Sequence, residues 1–142
     1  MNYNLTFEGS TISFNAKSQD NANIITHAIN ELLTKQGFVN LEVDDVKAIT
    51  DGAEYLTAGE GTGEGDNRAE DSAREAVKNM NIADAKGILI AILTGPEIML
   101  SEMSCAASVI EEASNPDASI IWGHVIDEAL GDKVKTIVIA AY

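Results

Sequence analysis

The feature that most constrains the fold is the uninterrupted apolar stretch from Gly87 to Thr94. It is far too short for a membrane span, which needs roughly 20 residues. A strand that is apolar at every position is typical of a sheet covered on both faces. Three further strands are predicted over 54–58, 118–126 and 134–141, and helical patterns lie between them. The sequence therefore predicts an α/β (α+β) fold with a four-stranded sheet packed with helices.

The first 20 residues predict a separate β-hairpin. Residues 5–8 and 11–14 each alternate apolar and polar positions, and Gly9-Ser10 lies between them. A helix is predicted to follow from about Asn21 to Lys35, with one apolar stripe and with Gly37 as its C-terminal cap. A helix with a single stripe needs only one partner layer. We therefore expect residues 1–19 to act as a hairpin cap and residues 20–142 to form one compact unit.

Three more helices are predicted, over 44–51, over 67–80, and from Pro96 onward. Asn67 and Glu70 have the spacing of a capping box at the start of the second. Pro96 suits the first turn of the third. In that helix Met99 is assigned to the inner face, together with Met103 and Ile110.

The charge of the chain excludes several classes of partner. Nine Lys and Arg against 23 Asp and Glu give a net charge of −14. Nucleic acids and anionic membrane surfaces both require basic patches, so we expect no nucleic acid and no direct membrane contact. The single Cys105 excludes an internal disulfide, and no signal-peptide pattern is present. These features predict a cytoplasmic protein.

The glycine-rich run from Gly59 to Gly65 is not expected to bind phosphate. It carries Glu60 and Glu64, is followed by Asp66, and matches neither GxxxxGK[ST] nor GxGxxG. An irregular turn that leads into a helix is predicted instead. No cofactor or metal site of the chain's own is expected.

The isolated Arg, His and Cys side chains are expected to have structural and not catalytic roles. Arg68 is expected to pair with a local carboxylate. His27 is placed on a polar helix face and His124 in a strand, and neither has metal-ligand spacing. Cys105 is expected to pack within a helix.

Four blocks of sequence follow one another at 37–47, 59–69, 87–103 and 121–140. The first reads Gly-x-x-Asn-x-Glu-x-x-Asp-Val, and the second contains Gly-x-Gly-x-x-x-Gly-x-x-Arg-Ala. The third has a strand, a glycine turn and a Leu-x-Glu helix start, and the fourth has the last two strands. In this order and spacing, the chain from Asp20 to the end resembles the C-terminal domain of FtsZ, the bacterial tubulin-like division GTPase. The first block is similar to the family's synergy loop, Gly-x-x-Asn-x-Asp-x-x-Asp-Val.

The resemblance implies a role for the first block. In the family, the synergy loop of one subunit contacts the nucleotide of the next, and its acidic residues orient the attacking water. Asn40 and Asp45 match the pattern, whereas Glu42 stands where the family has Asp. A carboxylate displaced by about 1 Å can cost on the order of 100-fold in rate. The alternative is that Asn40, Glu42 and Asp45 only cap the following helix and face water.

The family's GTP-binding domain, with its Gly-Gly-Gly-Thr-Gly signature, has no counterpart in the sequence, and neither has its C-terminal peptide for membrane-anchor proteins. We therefore expect the chain alone not to be an enzyme and to meet GTP only through a partner. The single helical stripe and the hairpin favour a natural stand-alone domain over a fragment.

Three functions follow. The first is an FtsZ-like division protein that binds the nucleotide end of a full FtsZ subunit, or of an FtsZ-like GTPase domain, through the loop, capping or modulating filaments. The second is the C-terminal half of an FtsZ GTPase acting in filament assembly. The third is a small homo-oligomeric ligand-binding domain, which the scarcity of arginine disfavours.

Overall fold

A computed structural model describes residues 2–142. It contains a two-stranded hairpin, a four-stranded sheet and four helices. The elements are β1 Asn2–Phe7, β2 Ser10–Asn15, α1 Gln19–Thr34, α2 Val43–Thr50, β3 Leu56–Gly63, α3 Arg68–Val77, β4 Gly87–Thr94, α4 Leu100–Ala113, β5 Ser119–Ile126 and β6 Val134–Ala141. Single 3-10 turns lie at Ile82–Asp84 and Glu128–Leu130.

The large sheet has the strand order β3-β6-β4-β5. Strands β4 and β5 are parallel, and β6 runs antiparallel to both β3 and β4. Every residue of β4 is buried, as its continuous apolar sequence predicted. The predicted fold class, a four-stranded sheet with helices and an N-terminal hairpin, is confirmed.

One hydrophobic core lies on each face of the sheet. On the first face α1, α2 and the hairpin pack together, and Ile12 and Phe14 of β2 are buried there with Ile25 and Ile29 of α1. On the second face α3 and α4 pack on the sheet around Met103 and Ile110. Alternate residues of the strands supply both cores, because successive side chains of a strand point to opposite faces.

The structure of the glycine-rich run differs from the irregular turn predicted from the sequence. It is not an irregular turn, because β3 continues through it to Gly63. Gly59, Gly61 and Gly63 share the face on which α3 lies. A Cβ at any of the three would come closer than 3.0 Å to the backbone of α3, to the carbonyl oxygens of Ala76, Ser72 and Arg68 respectively. Glycine at every second position therefore allows the helix to lie directly on the strand.

Two predicted helix boundaries and two caps are also wrong. Helix α4 begins at Leu100, and Met99 is 66% exposed at its N-cap with an extended backbone instead of lying on the inner face. Helix α3 ends at Val77, and the side chain of its N-cap, Asn67, makes no capping hydrogen bond. Helix α1 ends at Thr34 with Lys35 as its C-cap, and Gly37 does not have the positive φ of a left-handed cap.

Candidate functional site: a fixed loop at the sheet edge

The segment 36–42 lies along the outer edge of β5, which is an edge strand of the sheet. The backbone N–H of Ile126 donates to the carbonyl of Gln36 at 2.9 Å, and that of His124 donates to Val39 at 2.8 Å. Gly37 is pressed against this strand, because a Cβ there would come closer than 3.0 Å to the carbonyl oxygen of His124. The contact requires glycine for space and thereby fixes where the segment leaves the sheet edge. We call residues 36–45 the edge loop.

Asn40 closes a tight turn within the edge loop. Its Oδ1 accepts from the backbone N–H of Gly37 at 2.9 Å, and its Nδ2 donates to the Gly37 carbonyl at 3.0 Å. Both polar groups of the amide are therefore used to hold the loop. Asn40 is exposed, yet its immediate role in this structure is to stabilise the local backbone.

Asp45 stabilises the start of α2. Its Oδ2 accepts from the backbone N–H of Glu42 at 2.8 Å, and Glu42 is the N-cap residue. Carboxylates in the first turn of a helix also interact favourably with its dipole. Asp45 is half-buried, whereas Glu42 and Asp44 are exposed. The structure thus brings Asn40, Glu42 and Asp45 onto one short segment, with Glu42 the most available to a partner.

His124 holds the edge loop to the sheet through a contact that no local sequence pattern indicated. The side chain is 1% exposed. Its Nδ1 accepts from the backbone N–H of Phe38 at 2.9 Å, and its Nε2 lies 2.7 Å from Oγ1 of Thr94. The Phe38 ring stacks on the imidazole with centroids 5.2 Å apart. Burial lowers the pKa of His124.

Exposed apolar side chains occur at the same end of the sheet. Among residues 2–142 the large hydrophobic side chains that stay exposed are Phe38, Met99 and Leu100. Phe38 stacks on His124 near the C-terminal end of β5, and Met99 and Leu100 follow the C-terminal end of the parallel strand β4. Exposed aromatic and methionine side chains are enriched in protein interfaces.

A groove of about 690 Å³ adjoins the edge loop on the hairpin side. Phe7, Leu33 and Leu41 supply apolar walls, and the lining also includes Glu42 and Asp44. The edge loop therefore forms one wall of a concave surface.

Arg68 pairs with a carboxylate, but the partner, Glu102 on α4, is 34 positions away and not local as predicted. It binds Glu102 through two hydrogen bonds, of 2.7 and 3.1 Å, and donates to the carbonyls of Asp132 and Glu97 at 2.8 Å each. Arg74 pairs with Glu70 at 2.7 Å. Both arginines therefore have anionic partners within the chain, and neither forms part of a cluster for an external anion.

The remaining reactive side chains lie apart from one another. His27 is exposed on α1, and its Nε2 lies 3.8 Å from Oε1 of Glu31, which also binds Lys35 at 3.0 Å. Cys105 is exposed on α4, so its predicted packing role is wrong. Over 2–142 no group of three or more His, Cys, Asp or Glu side chains could hold a metal ion. In the same residues no helix is long and apolar enough to cross a membrane.

Comparison with known proteins identifies the class of domain. Residues 54–142 match the family model described as the FtsZ family, C-terminal domain. The cell division protein FtsZ of Methanothermobacter thermautotrophicus is 35% identical over 117 residues, which are 80% of this chain and 31% of that protein. An empty FtsZ dimer from M. jannaschii matches with a TM-score of 0.77 and 27% identity, over 82% of this chain and 35% of that one.

More distant structures share the fold alone. A helical model of a four-stranded TubZ-Bt filament matches with a TM-score of 0.69 at 14% identity, over 86% of this chain and 33% of that one. The fold is thus that of the FtsZ C-terminal domain, and part of the TubZ-Bt chain shares it. The chain belongs to the FtsZ family, whose C-terminal domain it carries. It spans about a third of the length of the relatives that it matches.

Proposed function

We propose that this chain is a cytoplasmic cell-division protein that docks through its edge loop on the nucleotide-bearing end of a full FtsZ subunit. Docked there, it caps or modulates filaments. The observation that carries the proposal is the fixed geometry of the loop. Main-chain bonds to β5 and side-chain bonds from Asn40 and Asp45 hold it before any partner binds. A preorganised loop loses less conformational entropy on docking.

The surroundings of the loop support the same surface. The exposed side chains of Phe38, Met99 and Leu100 would be covered by a docked subunit. Apolar groups of this kind, in the centre of a contact, supply most of the binding free energy of an interface. Residues 1–19, the hairpin, serve in this proposal as a cap over the α1 face.

The proposal gives Glu42 a role in trans. Its exposed carboxylate would face the nucleotide of the partner subunit, whose GTP is the only nucleotide involved. Because Glu is one methylene longer than the family's Asp, the carboxylate would lie about 1 Å from the position that orients the attacking water. A chain that docks on FtsZ but supports only slow GTP hydrolysis would act as a cap and not as an ordinary filament subunit.

The test is GTP hydrolysis and pelleting of the full-length FtsZ of the same organism, titrated with this chain from sub-stoichiometric to equimolar ratios. We expect reduced pelleting at sub-stoichiometric ratios, because one bound cap stops the growth of one filament end. The double substitution Glu42→Gln and Asp45→Asn should abolish the effect. Asn at 45 keeps an oxygen acceptor for the Glu42 N–H, so the helix start is retained while the charge is lost.

A matched control is available on α4. Glu111 and Glu112 are exposed near the end of that helix, and changing both to Gln removes the same charge away from the edge loop. This variant should act like the wild type. The proposal is wrong if all three proteins have the same effect, or if wild type has none at any ratio.

A second function is favoured by the extent of the match. Because the chain covers about a third of its relatives, it would also suit the C-terminal half of an FtsZ GTPase acting in filament assembly. A GTPase-like reading frame immediately upstream would indicate this arrangement. Mixing the chain with that GTPase domain should then restore GTP-dependent pelleting, whereas a cap would suppress it.

A further inference from the structure

His124 lies at the centre of a series of hydrogen bonds that joins the edge loop to the end of β4. The series begins at the backbone N–H of Phe38, which donates to Nδ1 of His124 at 2.9 Å. It continues from Nε2 to Oγ1 of Thr94 at 2.7 Å, and from that hydroxyl to the carbonyl of Gly95 at 2.6 Å. Residues 95–99 then connect this end of β4 to the exposed Met99.

The direction of each bond fixes the protonation state of the imidazole. A backbone N–H can only donate, so Nδ1 must accept and carries no proton. The Thr94 hydroxyl donates to Gly95 and therefore accepts from Nε2–H. His124 is neutral in this arrangement, with both ring nitrogens satisfied. A second proton on the ring would place a donor against the Phe38 N–H and a charge in a site that is 1% exposed.

The charges around β5 do not compensate such a proton. The titratable side chains on the elements packed against β5 are Asp20, His27 and Glu31 on α1, Lys35 at its C-cap, Glu42 on the edge loop, Asp44, Asp45 and Lys47 on α2, and Glu102, Cys105, Glu111 and Glu112 on α4. Strand β4 has none, and Asp127 and Glu128 follow β5. Burial is the cause that lowers the pKa of His124, with no contribution from a neighbouring carboxylate.

We propose that His124 is a proton-operated latch: neutral His124 holds Phe38 and thereby tightens the edge loop against β5, and its protonation breaks the Phe38 contact and loosens the loop. Since the loop is the docking surface of the proposed function, on which this consequence rests, docking weakens in mild acid. The latch acts by positioning, because His124 itself is covered and touches no partner.

The direct test uses the isolated chain and needs no partner. Nitrogen-15 NMR over pH 8 to 5 reports the tautomer and protonation of His124, and amide hydrogen exchange reports the Phe38 N–H. We expect Nδ1 unprotonated at pH 8 and a titration midpoint below the ordinary 6.5. Above that midpoint each pH unit of acidification raises the protonated fraction about tenfold. Exchange of the Phe38 amide, corrected for its intrinsic rate, should rise in the same proportion, and protection should be lost near the midpoint.

Two variants separate the latch from general acid sensitivity. His124→Asn places an amide oxygen near the position of Nδ1, keeps an acceptor for the Phe38 N–H and cannot titrate, so protection should stay constant over the range. His27→Gln removes the exposed histidine and should leave the wild-type profile unchanged. The latch is overturned if wild-type Phe38 stays protected while His124 gains its proton, or if Nδ1 carries the proton at pH 8. The wild-type measurement decides this even if His124→Asn does not fold.

Pelleting of FtsZ with each variant at two pH values separates the latch from the docking proposal. We expect the wild type to lose its effect at the lower pH and His124→Asn to keep it, with FtsZ alone as the reference at each pH. Equal loss in both variants overturns the latch and leaves docking intact. A loop that opens with His124 protonation, in a chain that affects FtsZ at neither pH, overturns the docking proposal instead.

Discussion

The contact with the clearest consequence for stability is the one that Arg68 makes at the start of α3. Its guanidinium makes four hydrogen bonds, two to the carboxylate of Glu102 on α4 and one each to the carbonyls of Asp132 and Glu97. Its side chain is 15% exposed, and that of Glu102 is 25% exposed. Arg68→Met keeps most of the apolar stem and removes all four bonds.

The loss of unfolding free energy in Arg68→Met should lie between the values for buried and for exposed ion pairs. Breaking a fully buried ion pair costs about 3–5 kcal/mol, whereas exposed pairs contribute roughly 0.2–1 kcal/mol. Water can reach the quarter of Glu102 that is exposed, and its Oε1 still accepts from the Met99 N–H at 3.2 Å. We therefore expect Arg68→Met to lower the free energy of unfolding by about 2 kcal/mol. Arg68→Met combined with Glu102→Met should cost less than the single change, because no unpaired carboxylate remains.

The measurement is urea unfolding followed by circular dichroism, with Arg74→Met as the matched control. Arg74 lies on the same helix and pairs with Glu70, but its side chain is 62% exposed. Its substitution should leave the midpoint of unfolding unchanged within error. Equal midpoints for the two variants would contradict the reasoning, since burial would then not determine the strength of the pair.

Acid should reduce the difference in stability between wild type and Arg68→Met. The hydrogen bonds from Arg68 hold the pKa of Glu102 below its ordinary value of 4.5. The stabilisation is therefore present above pH 4.5, where the unfolded chain also carries the charge, and is lost as the pH falls through the lower pKa of the folded state. The gap between the unfolding midpoints of the two proteins should therefore be smaller in acid than at pH 7, and the two bonds from Arg68 to carbonyls account for what remains. A gap of the same size at both pH values would contradict the assigned role of the Glu102 charge.

Three further outcomes are expected. Gly61→Ala should cost about 1–3 kcal/mol of unfolding free energy by urea titration, because its Cβ would meet the carbonyl of Ser72 and displace α3. Ser72→Ala should cost about 1–3 kcal/mol by the same method, since it leaves the buried hydroxyl of Thr136, 2.7 Å away, without its partner; adding Thr136→Val should recover much of that loss. Met99→Ser with Leu100→Ser should leave stability unchanged, because both side chains are exposed, and should weaken the effect on FtsZ pelleting.

Much of the fold could be predicted from local patterns. The apolar run of β4, the alternation in the hairpin and the single stripe of α1 each correspond to an observed element. Such patterns report which side of an element is buried, and burial follows directly from hydrophobicity. Family membership was likewise available from short blocks of sequence in a fixed order.

The boundaries that failed were decided by contacts between distant parts of the chain. Alternate glycines in 59–63 have a low strand propensity, but α3 lies so close that only glycine fits on that face. Met99 has a good helix propensity, yet its backbone is extended at the N-cap of α4, where its N–H binds Glu102. In both places tertiary packing overrides the local preference.

For the candidate site, the sequence supplied the three residues of the edge loop but not their hydrogen bonds. Asn40, Glu42 and Asp45 were found by resemblance, and their predicted role in docking remains a prediction. The contact between Phe38 and His124 spans 86 positions of the chain, so no local pattern could indicate it.

The sequence by itself determined the order and type of the strands and helices, the acidic charge and the family, because these depend on side-chain chemistry and short-range periodicity. Only the tertiary structure decided the partners of Arg68, the glycine face of β3 and the neutral state of His124. Each of these depends on which groups the fold brings within hydrogen-bond distance or seals from water. Those distances are set by the packing of the whole chain, and no segment of the sequence contains them on its own.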